Sequence, residues 1–176
     1  MTRNTLGPVG RSRRGGPLNG LLRGAAAGAA GTTALNATTY LDMAIRGRGT
    51  SSAPEDLVEK GAGKAGLPIP GDGEERDNRL AGLGPLSGIA VGTAVGAVAG
   101  GLHRAFANRG RSVPAPIAAV LIGAAAMALS DVPLKVLGIS DPVDWAAPDW
   151  AADAVPHLVY GAVTYATIRA TDADAP

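Results

Sequence analysis

Four ionisable side chains lie near the ends of apolar stretches, where they could bind and pass on protons. They are Asp42, Asp131, Asp153 and His157. A carboxylate one helical turn from an imidazole can fix the tautomer of the ring, which is a common arrangement in proton relays. Asp153 and His157 are four residues apart and have that spacing. The four side chains are therefore the candidate proton or ion pathway.

Simpler roles are open to the same residues. Asp42 and Arg46 are four residues apart, and so are Asp131 and Lys135, so each couple could form an ion pair at a helix end. His157 follows Pro156, whose ring removes a helix hydrogen bond, but a neutral imidazole can also be buried for packing alone. Three further acids are typical of turns and helix starts: Asp141, Asp144 and Asp149.

Four apolar segments must position these groups. About 20 apolar residues are needed to cross roughly 30 Å of hydrocarbon at about 1.5 Å per residue. Aromatic residues make up only 3% of the chain, which is poor material for a close-packed core in water. We therefore predict an all-α fold, an integral membrane four-helix bundle with Gly/Ala-rich helices. The predicted spans are residues 21–45, 83–102, 115–137 and 150–168.

The segments outside these spans differ in character. Residues 1–20 form a basic tail, residues 46–82 a polar connection between helices 1 and 2, and residues 171–176 a short C-terminal tail. Within the connection, Ser52 and Glu55 have the spacing of a helix N-terminus, which predicts a short helix to about Lys64. The first and third connections lie on the same side in any four-span topology. The four candidate residues should therefore lie at similar depth near one face.

The distribution of basic residues predicts the orientation. The N-terminal tail and the second connection should be cytoplasmic because arginines are concentrated there, whereas the third connection is acidic. Both termini would then be cytoplasmic, and Trp145 and Trp150 would lie at the outer interface of the cell membrane. A secretory signal with a twin-arginine-like motif is an alternative reading of the first segment, but a retained helix suits its length better. The arginines concerned are Arg3, Arg11, Arg13, Arg14, Arg23, Arg104, Arg109 and Arg111.

Glycines recur every four residues along the second span and so lie on one helix face. Another helix backbone can approach closely there, and a shorter glycine row in the first span is the natural partner. We expect packing within the chain, although a homo-oligomer or another membrane protein could use the same face. The helix-packing glycines are Gly88, Gly92, Gly96 and Gly100 of the second span, with Gly24 and Gly28 of the first.

The C-terminal third of the chain resembles a known family. Residues 137–142, Trp145, Trp150 and residues 156–160 are similar in order to the C-terminal region of YagU-type inner-membrane proteins, with a Leu-Gly turn, a Pro, aromatics and His-Leu-Val. The chain also resembles other small multi-pass bacterial membrane proteins. The resemblance implies a multi-pass inner-membrane protein with a part in acid tolerance.

Three function classes follow from these patterns. A structural or homeostatic membrane protein is preferred, and a proton or ion pathway is the alternative. An enzyme is not expected, because no nucleophile and base are arranged recognisably. The sequence predicts no cofactor and no metal site, and its lack of cysteine excludes thiolate chemistry. The lipid bilayer is the predicted partner and nucleic acid is not, because the arginines lack interleaved aromatics.

Overall fold

The computed structural model describes residues 16–173, and these residues are all-helical, as the sequence predicts. There are five α-helices, one 3-10 turn and, within the described residues, no strand. The N-terminal Arg3, Arg11, Arg13 and Arg14, and with them the twin-arginine-like motif, lie outside the described residues. The elements are α1 (Pro17–Arg46), α2 (Ala53–Lys64), α3 (Gly73–Asn108), α4 (Ala115–Val136), the 3-10 turn (Pro142–Asp144) and α5 (Ala147–Ala173).

Two of the helices in the described part of the chain are long and apolar enough to cross a membrane. They are α3 and α4, whose most apolar stretches have mean hydropathies of 1.5 and 2.0. Only 22% of the α3 stretch and 28% of the α4 stretch is buried inside the protein. Helices α1 and α5 have 30 and 27 residues, but their alanines, glycines and polar residues make them less apolar.

The long helices pack mainly in three pairs: α1 with α3, α1 with α5, and α4 with α5. Helix α1 is antiparallel to α3, because Gly20 lies against Gly100 while Gly28, further along α1, lies against Gly92. Helices α4 and α5 are also antiparallel and in close contact, through Gly123 and Gly161. Helix α5 therefore packs against both α1 and α4 and connects the α1–α3 pair to α4.

The connections place the helix termini at two ends. At one end lie residues 47–72, which include α2, and residues 137–146; Lys60 Nζ of the former is 3.4 Å from the Gly138 carbonyl oxygen of the latter. We call this the lid end. The start of α1, residues 109–114 and the end of α5 lie at the other end, which we call the arginine end. The first and third connections thus share one end, as predicted.

Helix α2 ends at Lys64, as the sequence predicts, but its N-terminus is held differently. Ser52 makes no side-chain cap bond to the backbone; its hydroxyl is 3.0 Å from the Asp56 carboxylate. The Ser51 hydroxyl instead accepts a hydrogen bond from the Ala53 N–H at 3.2 Å. Helix α2 then packs on the first turns of α3, with a salt bridge between Glu59 and Arg76.

Two helix ends differ in how well the sequence marks them. Helix α4 ends at Val136, and Gly138 follows with a φ of 63°, a left-handed conformation that glycine adopts without steric cost. Helix α5 has no such stop and continues to Ala173, past residue 168, where the predicted span ends. Asp172 is consequently a helical residue that can face a neighbouring helix.

The interior holds polar and ionisable side chains beside apolar ones, while many large aliphatic side chains are exposed. The largest fully buried side chains are Tyr160 and Thr164, and the buried set includes Arg104, Asp131 and His157. Large aliphatic side chains on the outer surfaces of α3, α4 and α5 are about half exposed, for example Leu86, Val98, Ile117, Val120, Leu129, Val132 and Leu158. The outer surfaces of these helices are thus apolar, and the interior is mixed.

Candidate functional site

The lid end holds a cluster of two carboxyl groups and one imidazole, which we call the lid-end cluster: Asp131, Asp153 and His157. Helix α5 presents Asp153 and His157 one turn apart, and His157 Nδ1 is 2.8 Å from the Asp153 carbonyl oxygen and 3.4 Å from its Oδ1. A carbonyl oxygen can only accept a hydrogen bond, so Nδ1 carries the hydrogen. In the neutral ring, Nε2 is then the atom free to accept a proton.

Asp131 of α4 completes this cluster. Its carboxyl group interacts electrostatically with both the Asp153 carboxyl group and the His157 ring. The Asp153 Oδ2 atom is buried and has no hydrogen-bond partner in the described residues. Two carboxyl groups can bond to each other only when one carries a proton. The geometry therefore suits a proton held between them.

The ion pair predicted between Asp131 and Lys135 is wrong. Lys135 instead lies 3.1 Å from Asp141, and both of these side chains are well exposed. Asp131 is only 8% exposed, because its side of α4 packs against α5. At Asp141, the backbone N–H of Val143 and then the Lys135 ammonium hold the pKa of the carboxyl group below its ordinary value.

Asp42, the fourth predicted site residue, lies outside the lid-end cluster. It forms salt bridges with Arg46 at 2.9 Å and with Arg48 at 2.6 Å. The Asp42–Arg46 pair is the simpler of the two roles considered for this residue. The structure thus brings together three of the four predicted pathway residues and leaves Asp42 in ion pairs with arginines of its own neighbourhood.

The lid-end cluster is open to one side. The side chain of Asp153 is 25% exposed, whereas that of His157 is 11% exposed. Asp153 therefore gives access to the imidazole from the lid end. Within the described residues, no group of three or more His, Asp or Glu side chains has an arrangement that could hold a metal ion.

A second cluster, at the arginine end, was missed by sequence reasoning. Asp172 of α5 lies 3.3 Å from Arg23 of α1, 3.2 Å from His103 Nε2 and 3.6 Å from Arg104, both of α3. We call these four residues the arginine-end cluster. Arg23 also donates a hydrogen bond to the Thr171 carbonyl oxygen at 2.6 Å. Because the side chains come from three helices, no short-range spacing in the sequence predicts the cluster.

Between the two clusters, α5 presents hydroxyl groups to the interior. The Tyr160 hydroxyl donates a hydrogen bond of 2.6 Å to the Gly92 carbonyl oxygen of α3. Thr164, one turn further on, is fully buried, and its Oγ1 has no hydrogen-bond partner in the described part of the chain. Thr32 of α1 is also buried and places its hydroxyl beside Gly92.

The glycine rows bring α1 and α3 into backbone contact. A Cβ atom added to Gly24 would overlap the Gly96 carbonyl oxygen, and one added to Gly28 would overlap that of Gly92. Gly100 lies against Gly20 and Gly24 in the same way. Gly88 is outside this contact, since nothing lies within 4 Å of a Cβ added there.

A second close contact, between α4 and α5, was not predicted. A Cβ added to Gly123 would overlap the His157 carbonyl oxygen, and one added to Gly161 would overlap that of Ala119. This contact fixes the α5 backbone at His157 against α4. It therefore sets the distance across which Asp131 meets the Asp153–His157 pair.

Comparisons of the chain with protein-family models, with curated proteins and with solved structures found no match.

Proposed function

We propose that the chain is a multi-pass protein of the cell membrane, a four-helix bundle in which the lid-end cluster binds and releases protons. The exposed aliphatic surface, together with the buried ionisable residues, carries the proposal. Large aliphatic side chains cover the outside of α3 and α4, while Asp131 and His157 are buried. Such a surface is unfavourable in water and suits hydrocarbon, where ionisable residues face the bundle interior and are functional candidates.

Several features support the membrane orientation. Trp145 and Trp150 lie side by side at the lid end with ring centroids 5.3 Å apart, and indole rings favour the headgroup layer. At the arginine end, residues 109–114 contain Arg109 and Arg111 and no acid. Cytoplasmic connections are enriched in basic residues, so the arginine end is placed in the cytoplasm and the lid end outside.

The composition of the lid-end cluster favours a proton as its cargo. With both carboxyl groups ionised and His157 protonated the cluster has a net charge of −1, and one shared proton makes it neutral. A buried cluster is most favourable when its net charge is zero. A proton is also the one cation that needs no shell of oxygen ligands. A proton-handling site fits the acid-tolerance role that the family resemblance implies.

The test is proton flux into proteoliposomes under an imposed pH gradient. Wild type should exceed empty liposomes, and Asp153→Asn and His157→Ala should reduce the flux at least tenfold at equal incorporation. Asp42→Asn is the matched control, because Asp42 is an acid at the same end that pairs with Arg46 and Arg48. Wild-type flux equal to that of empty liposomes, or equal loss in Asp42→Asn, would overturn the proton pathway.

A structural or homeostatic membrane protein is the second candidate. The backbone contact of α1 with α3 favours it, since such contacts build rigid, closely packed helix pairs. In this structure Gly92, Gly96 and Gly100 are buried within the chain, so a second copy or another protein would have to dock elsewhere. Absence of flux together with a single stable oligomer in detergent would support this candidate.

A further inference from the structure

Each of the two histidines is paired with an aspartate, and the two pairs lie at opposite ends of the protein. His157 pairs with Asp153 at the lid end, and His103 of α3 pairs with Asp172 at the arginine end. The second pair has no part in the proposed function as stated so far. Its place relative to the first suggests a role in the same process, and the inference rests on that proposed function.

The separation of the two pairs matches the thickness of a bilayer. Asp153 and Asp172 are 19 positions apart on α5. At about 1.5 Å per residue this corresponds to roughly 28 Å, close to the hydrocarbon thickness of about 30 Å. Each pair would then lie near one boundary of the membrane, where water can exchange protons with it.

The inner face of α5 between the pairs is polar over most of its length. Tyr160 and Thr164 follow His157 at successive turns, and both are fully buried. A hydroxyl group can donate its proton on one side while accepting another on the other side, so it passes a proton on without a net change. Ile168, one turn beyond Thr164, is 2% exposed and interrupts this row with an apolar side chain.

His103 is the member of the arginine-end cluster suited to proton exchange. Arginine keeps its proton, whereas histidine ordinarily gains and loses one near neutral pH. Asp172 accepts a hydrogen bond from Arg23 and forms ion pairs with His103 Nε2 and with Arg104, which fixes the imidazole in place. The ring of Tyr165 packs edge-on against the same imidazole with centroids 5.6 Å apart.

We propose that His103, positioned by Asp172, is the cytoplasmic terminal of a transmembrane proton path whose outer terminal is the lid-end cluster, with Ile168 as the apolar barrier between them. For each proton that the lid-end cluster takes up, one leaves from His103. The hydroxyls of Tyr160 and Thr164 return to their starting state. Apolar constrictions control permeation by excluding water, so passage requires transient hydration beside Ile168.

The first test compares His103→Gln with Arg109→Gln in the proteoliposome flux assay. His103→Gln should reduce flux at least tenfold. Arg109→Gln should leave flux unchanged, because Arg109 is exposed at the same end and its guanidinium donates a hydrogen bond to the Ala105 carbonyl oxygen of its own helix. If His103→Gln keeps full flux while Asp153→Asn loses it, this inference is wrong and the proposed function stands. Absence of wild-type flux would overturn both.

Asp172 is tested by the pH profile of the flux. Asp172→Asn removes the carboxylate and leaves the Arg23 and Arg104 guanidinium groups near His103, so the surroundings of the imidazole become more positive. The pH of half-maximal flux should therefore move to lower values. A reduced amplitude with an unmoved profile would show a purely structural role for Asp172 and would contradict the positioning role.

The barrier is tested at Ile168. Ile168→Ser should raise the flux several-fold, because a hydroxyl group continues the polar row and admits water. Ile168→Val is the matched control and should leave flux unchanged, with both variants checked for wild-type helicity by circular dichroism. Flux in Ile168→Ser no higher than in Ile168→Val would overturn the barrier.

Discussion

The two ends of the protein hold the same kind of histidine–aspartate pair in opposite electrostatic surroundings. At the lid end a second carboxyl group, that of Asp131, faces the pair. At the arginine end two guanidinium groups, of Arg23 and Arg104, face it. The acid-rich end needs an additional proton to become neutral, whereas the arginine end already has cations for its carboxylate. The same histidine–aspartate pair can thus bind and release a proton at one end and be held in place by ion pairs at the other.

The ends also differ in what holds them. The lid-end cluster draws its members from α4 and α5 alone, while the arginine-end cluster needs α1, α3 and α5 in place. The glycine contact between α1 and α3 therefore supports one end directly and the other only through α5. This difference predicts which end fails first when the helix contact is damaged.

The largest effect is expected from Gly96→Leu. A leucine there cannot fit against the Gly24 and Gly28 backbone, so the free energy of unfolding should fall by roughly 3 kcal/mol or more. Because the chain has two histidines, an NMR spectrum of histidine-labelled protein shows two imidazoles. The His103 signals should move and those of His157 should stay.

Gly88→Leu is the control for this substitution, since a Cβ at Gly88 meets nothing within 4 Å. It should change neither the unfolding midpoint in denaturing detergent nor either imidazole signal. Equal movement of both histidine signals in Gly96→Leu would show that the two ends are not independently supported.

An intermediate effect is expected when one carboxyl group is neutralised at each end. Asp172→Asn removes the carboxylate that Arg23 and His103 contact from other helices. It should lower the free energy of unfolding by roughly 2–3 kcal/mol, less than the loss of a fully buried pair because the Asp172 side chain is partly exposed. Asp131→Asn removes one of two adjacent acids and should change it by less than about 1 kcal/mol. Detergent titrations monitored by circular dichroism measure both. A larger loss in Asp131→Asn would reverse the comparison.

The smallest effect concerns the exposed Lys135–Asp141 pair at the lid end. The lowered pKa of Asp141 means that its contribution to stability is present above about pH 3.9, the ordinary value, and is lost as the pH falls through the lower folded-state pKa. In Lys135→Met the pKa of Asp141 should rise only part of the way, because the Val143 N–H is the larger cause. NMR titration of the carboxyl carbons measures the pKa of Asp141. A full return to the ordinary value in Lys135→Met would show that Lys135 alone lowers this pKa.

Sequence reasoning succeeded where a pattern is local. The spacing of Asp153 and His157 places them on one face of one helix, whatever surrounds it. The helix α2 and the shared end of the two connections also follow from short-range signals and from chain connectivity. The glycines of α3 could be assigned to one face because the helical period alone determines it.

The predictions that were wrong or missing all depend on which helix packs against a given helix face. Asp131 has Lys135 one turn away, but the neighbouring α5 offers Asp153 and His157 and draws the carboxyl group inward. Gly88 shares the face of Gly92, yet α1 does not lie against it, because where one helix crosses another is not encoded in the period. Asp172 has partners from α1 and α3 that are 149 and 69 positions away in the chain, so no sequence window contains them.

Helix α3 has a mechanical consequence. It is unbroken over 36 residues, which at about 1.5 Å per residue makes it roughly 54 Å long, well beyond the hydrocarbon thickness of about 30 Å. In the membrane topology that we propose, its first turns, which the Glu59–Arg76 salt bridge connects to α2, would lie outside the bilayer. A force on these first turns would tilt α3 about its glycine contact with α1. The tilt would displace His103, which lies near the other end of the helix.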